Sequence, residues 1–94
     1  MNASAKILEV GANGAVVQLP ERQYPGIVVQ GDSLSILVSD FEELRANIVK
    51  KDEPEIAASL GVIERQLRER LEFYESVLTK HGIPLPYVRH EKIG

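Results

Sequence analysis

Two runs of apolar residues at helical spacing constrain this chain more than any other feature. The first is Leu34, Leu37, Phe41, Leu44 and Ile48, in steps of 3-4-3-4. The second is Ile56, Leu60, Ile63, Leu67, Leu71, Tyr74 and Leu78. A 3.6-residue repeat gathers each set on one side of a helix, so the pattern predicts two amphipathic helices. Ile36, Val38 and Val49 widen the apolar face of the first. Lys50-Lys51-Asp52-Glu53-Pro54 interrupts the pattern between them. Lysines suit a helix C-terminus and acids an N-terminus, through the helix dipole. Proline is comfortable at a first helical position, which places the second helix at roughly 55–80. Gly61 within it costs about 1 kcal/mol relative to alanine and permits close helix approach. His81-Gly82 reads as its stop, with Pro84 beyond.

The segment before the helices reads as strands. Ile7, Leu8 and Val10 lead to Gly11-Ala12-Asn13-Gly14, where Asn-Gly favours a hairpin turn into Ala15–Leu19. Pro20 ends that strand, because it cannot donate to a ladder. A polar loop over 20–26 closes with Pro25-Gly26 turn chemistry. Ile27-Val28-Val29 is a third β-branched run. Either Asp32 or Ser33 can cap the helix that follows. The tail from Ile83 is held extended by Pro84 and Pro86, lying over the core or along a partner.

The fold expected is α+β: a small antiparallel sheet of two or three strands, then two long antiparallel helices packed on it. A sheet this small needs such cover. One domain over 1–94 is expected, strand-rich over 1–31, a helical hairpin over 32–82 and an extended tail over 83–94. A second helix of that length spans roughly 39 Å, against a diameter of about 32 Å for a globule of this size. The apolar seam persists to the last turn. A homodimer covering Ile63, Leu67, Leu71, Tyr74 and Leu78 is therefore expected.

Composition excludes several function classes. There is no cysteine, which removes disulfides, thiol catalysis and thiolate zinc sites. The net charge of −3 and five aromatic residues argue against a phosphate-neutralising patch or a base-stacking platform. No apolar run is long enough to span a membrane. Nor does the N-terminus carry the apolar core of a secretory signal, so a cytoplasmic setting is expected. No nucleic-acid or membrane partner, no cofactor and no metal is expected.

Gly31-Asp32-Ser33-Leu34 spells the nucleophile string of the GDSL esterases. Such a serine needs a histidine base, usually in a downstream Asp-x-x-His. Here Leu78 and Tyr87 stand three residues before His81 and His90. Capping explains the string, and a nucleophile does not. A phosphate site at that helix start is opposed by the charge of Asp32. His81 and His90 lack convergent metal ligands. Glu64–Arg68, Arg65–Glu69 and Arg68–Glu72 are possible i,i+4 pairs on a solvated helix face. The candidate binding residues are Arg22, Gln23 and Tyr24 in the loop, with Gln30, Asp32 and Ser33 beyond it. A guanidinium, an amide and a phenol suit recognition of a carboxylate or a peptide.

Gln18 to Leu34, containing Arg22, Tyr24-Pro25-Gly26, an apolar run and Gln30-Gly31-Asp32-Ser33-Leu34, resembles a family of small bacterial proteins of unknown function. Tyr24 stands where phenylalanine is the commoner residue. The resemblance implies a bacterial source and a single domain, and it transfers no catalytic residue. The function expected is a non-enzymatic protein-interaction module, adaptor or immunity-like, dimeric through its helices and able to take a protein or peptide partner. The alternative is a small-ligand protein or enzyme with a site near the 20–33 loop at a dimer interface.

Overall fold

The computed structural model describes residues 4–12 and 14–88. Asn13 of the expected turn, His90 and the end of the expected tail lie outside the described residues. The order of elements is β1 (Lys6–Gly11), β2 (Gly14–Gln18), β3 (Gly26–Val29), α1 (Gly31–Lys50) and α2 (Glu53–Lys80). The class is α+β, and all three candidate strands join one antiparallel sheet in the order β1-β2-β3. The described residues fall into two compact units. One holds the stretch up to Val28 and the stretch from Phe73 onward, the other Val29–Glu72.

In the first unit, β1 pairs antiparallel with β2, and the register slips by one between Ile7 and Glu9. Ile7 faces Val17 and Glu9 faces Val16, which leaves Leu8 as the extra residue of a bulge. Leu8 can therefore turn to the core while Ile7 and Val10 stay exposed. The core is Val16, Tyr74, Val77 and Leu78, with Leu8, Phe73, Ile83, Leu85 and Tyr87 packed against it. The tail contributes every second residue, since Ile83, Leu85 and Tyr87 are half-buried and Pro84, Pro86 and Val88 exposed. That is the two-residue period of an extended chain. It lies over its own core, one of the two courses open to it from the sequence.

This unit corrects part of the expected dimer surface. Leu78 is fully buried and Tyr74 is 7% exposed within the single chain. The sheet and the tail cover these turns of α2, so neither residue is left for a second copy.

Helix α2 ends at Lys80 in a Schellman arrangement. The N–H of Ile83 donates to Leu78 O at 2.9 Å and that of Gly82 to Thr79 O at 3.1 Å. Gly82 has φ +69°, a left-handed conformation costly for a residue with a Cβ. Gly82→Ala is expected to cost about 1 kcal/mol of stability. A urea midpoint unchanged from wild type would contradict this assignment.

The second unit is an antiparallel helical hairpin. Lys51, at φ +57°, closes α1, its N–H bonded to Ile48 O at 3.0 Å. Asp52 opens α2, its Oδ1 accepting the Glu55 N–H at 3.3 Å and its carbonyl the Ile56 N–H at 2.9 Å. Asp52 is thus the N-cap, and Pro54 is the second helical residue rather than the first. The two helices are bridged twice. Gln66 Nε2 donates to Asp40 Oδ2, and Asn47 Nδ2 to Ser59 Oγ at 3.3 Å. Seven residues up α1 match seven down α2, which fixes the register of the pair.

Candidate functional site

The loop after β2 is held from within. Gln18 Nε2 donates to Arg22 O at 2.6 Å and to Leu19 O at 3.2 Å. The Arg22 N–H returns to Leu19 O at 3.4 Å, with Glu21 at φ +65°. Pro20 followed by a positive φ is the outline of a type II turn, in a position that glycine usually fills. At the far end, buried Pro25 offers its carbonyl to the Tyr74 hydroxyl at 2.7 Å. Arg22, Gln23 and Tyr24 lie exposed between these anchors. Gln18 and Tyr74, which sequence reasoning did not place here, give the loop its shape.

Gln30, Asp32 and Ser33 belong to the second unit. Helix α1 begins earlier than expected: Gln30 is the N-cap residue, makes no side-chain cap bond, and its carbonyl accepts the Leu34 N–H at 2.9 Å. Neither Asp32 nor Ser33 is the cap; both sit in the first turn. Extended backbone at Gln30 allows the helix to start at Gly31 without a capping side chain. Asp32 Oδ1 instead accepts the Ser33 N–H at 2.8 Å. A carboxylate engaged with its own first turn satisfies an otherwise unpaired donor and suits the dipole.

The hairpin carries a second candidate surface. On α1 the residues turned toward α2 are Ser33, Leu37, Asp40, Leu44 and Asn47, half-buried or buried. On α2 they are Ile56, Ser59, Ile63, Gln66 and Arg70. Each inward stripe thus mixes apolar with polar side chains, and Asp40, Asn47, Ser59 and Gln66 form the two cross-bridges. Arg70 Nη1 also donates to Gln66 O at 3.0 Å, while its buried Nε has no partner. Ile63, expected at a dimer interface, is 5% exposed and buried inside the hairpin.

The rest of each apolar seam lies about 80° round the helix from its inward stripe, at 100° per residue. It consists of Leu34, Phe41 and Ile48 on α1 and Leu60, Leu67 and Leu71 on α2, 41–53% exposed. Because the helices are antiparallel, rotation in the same sense on each leads to the same side of the hairpin. The register sets Leu34 beside Leu71, Phe41 beside Leu67 and Ile48 beside Leu60. Three apolar rungs therefore form one open face. Leu67 and Leu71 were expected at an interface; the other four become legible only once the hairpin is built.

Other surfaces offer less. A hollow on the hairpin is lined by Asp40, Glu43, Glu55, Ala58, Ser59 and Val62, another by Glu42, Arg45, Ala46, Val49 and Lys50. None of the six candidate binding residues lines either hollow. The i,i+4 pairs expected on α2 do not close, and the one ion pair among the described residues is Lys80 with Glu9 at 2.8 Å. Exposed side chains of this kind gain little from pairing. No group of acidic or histidine side chains among the described residues is placed to hold a metal. No helix there is long and apolar enough to cross a membrane.

A family model described as "Family of unknown function (DUF6959)" matches residues 1–87. The chain belongs to this family. Its matched region takes in the strands, the loop, both helices and the tail as far as Tyr87. No curated protein and no solved structure matches the chain.

Proposed function

We propose that this member of DUF6959 is a non-enzymatic protein-interaction module, adaptor or immunity-like, that forms a homodimer through its helical hairpin. The observation carrying this reading is the open face of three apolar rungs, Leu34/Leu71, Phe41/Leu67 and Ile48/Leu60. Contiguous apolar surface of this kind marks interaction sites in folded proteins. The position of the polar bridges strengthens it. A lone hairpin gains most by turning its seam inward, yet here hydrogen-bonded polar residues occupy half of the inward stripes. A seam shared between an inner and an outer contact is the habit of a helix with two helical neighbours, as in a four-helix bundle.

The loop residues Arg22, Gln23 and Tyr24 remain available for a further protein or peptide partner. The alternative of an enzyme or small-ligand site around Asp32 and Ser33 loses support from the Asp32 bond to its own helix. Light scattering across a concentration series tests the proposal. Wild type is expected at twice the 10.4 kDa chain mass. Leu67→Asp is expected at the single mass, with its helical circular dichroism retained. Wild type at the single mass throughout would overturn the dimer.

A further inference from the structure

The rim of the apolar face carries information about how two copies would meet. About 120–160° round from the inward line, α1 presents Val38, Arg45 and Val49 and α2 presents Ala57, Glu64 and Arg68. All six are exposed, and Val49 is 77% exposed. Neither Arg45 nor Glu64 has an ion-pair partner within the chain among the described residues. They cannot reach each other in one copy, since they project from opposite edges of the hairpin.

We infer that the two hairpins pack with α1 of each copy against α2 of the other, about a two-fold axis running along the helices. The inference rests on the self-association proposed above and adds its geometry. A rotation about such an axis keeps every residue at its own level, so each rung stacks on its copy. The levels then follow from the Asp40–Gln66 and Asn47–Ser59 bridges. Val49 comes level with Ala57 of the other copy, and Val38 with the aliphatic stem of Arg68. Arg45 is offset from Glu64 by roughly 4 Å along the axis at 1.5 Å per residue, well within the reach of an arginine. Arg45 thus meets an acid and Val49 a small apolar residue, while Val38 packs on the Arg68 stem and leaves that guanidinium to solvent.

The competing arrangement turns one hairpin end over end, so that α1 meets α1 and α2 meets α2. Centred on the Phe41/Leu67 rung, it sets Arg45 beside Val38 and Val49 near Ser33, leaving the guanidinium without an acid. It does bring Glu64 beside Arg68, which makes the two arrangements separable by charge reversal. Rim charges of this sort set register and partner choice between helices more than they set affinity.

The test measures the dimer dissociation constant of wild type, Arg45→Glu, Glu64→Arg and the double variant by sedimentation. Two symmetric pairs are lost together, so each single reversal is expected to weaken association about tenfold. The double variant is expected to return to within a few-fold of wild type. Rescue of Glu64→Arg by Arg68→Glu instead, or simple addition of the two single effects, would overturn the arrangement while leaving the dimer standing. A wild type that never dimerises would overturn both. Cross-linking gives a second readout that does not depend on energies. The chain has no cysteine, so Val49→Cys mixed with Ala57→Cys is expected to form a disulfide-linked heterodimer on oxidation. Val49→Cys alone is expected to stay unlinked. No linkage in the mixture, from a dimer still present in solution, would also sink the arrangement.

Discussion

Replacing Leu78 with alanine is expected to lower the unfolding free energy by about 2–5 kcal/mol, the usual cost of emptying a well-packed leucine site. Leu78 has no exposed surface and shares its cluster with Val16, Tyr74 and Val77. Those neighbours sit on a strand and a helix, each kept rigid by its own backbone hydrogen bonds, so the space left behind cannot easily collapse. Against a total stability of about 5–15 kcal/mol, such a loss is large. Val10→Ala removes apolar atoms from a position 69% exposed, and is expected to change stability by less than about 0.5 kcal/mol. Urea denaturation of the two variants at low protein concentration makes the comparison. Equal midpoints would mean that Leu78 is not a core residue of the single chain.

That result bears on what the sequence can and cannot disclose. The seam from Ile56 to Leu78 is continuous in spacing, and periodicity alone cannot say what covers its last turns. A second chain was one answer. The structure supplies another from the same chain, partly through Ile83, Leu85 and Tyr87. Their two-residue alternation was visible, but it is short and interrupted by prolines, so it gave no direction in space. The break at Lys50–Pro54 was legible because dipole, cap and proline preferences all agree there. The start of α1 was less so, since Gln30, Asp32 and Ser33 are all acceptable before a helix and backbone geometry decides between them.

The rotation of the helices was the least legible feature. Ile36, Val38 and Val49 spread apolar character over much of α1, which leaves the inward direction open. It is fixed by Asp40–Gln66 and Asn47–Ser59, polar pairs 26 and 12 residues apart in the chain. No local pattern announces such pairs. Once they are in place, the apolar residues they displace from the interior become the candidate site. The Leu8 bulge behaves similarly, because a one-residue slip in register reassigns faces without leaving a mark in composition.

Tyr74→Phe is the second change with a large expected effect, and it separates burial from hydrogen bonding in one position. The hydroxyl donates to Pro25 O at 2.7 Å in a buried setting. Phenylalanine keeps the ring packed beside Val16 and Leu78 but leaves that carbonyl without this donor. The expected loss is about 1–3 kcal/mol, the cost of an unsatisfied buried polar group. Burial also raises the Tyr74 pKa above its ordinary value of 10.0. The folded state therefore holds the phenol proton more tightly than the unfolded one. Above pH 10.0 the unfolded chain binds fewer protons, so stability falls as pH rises through the raised folded value. Below that window the tyrosine contributes its full share. Phenylalanine has no proton to lose, so the wild-type advantage is expected to shrink across the alkaline limb. Urea titrations of both proteins from about pH 8 to about pH 11 read this directly against the ordinary tyrosine range. Curves that stay parallel would mean that the phenol is as free to ionise in the folded chain as in the unfolded one, and curves that coincide would mean that the Pro25 anchor does not hold the loop.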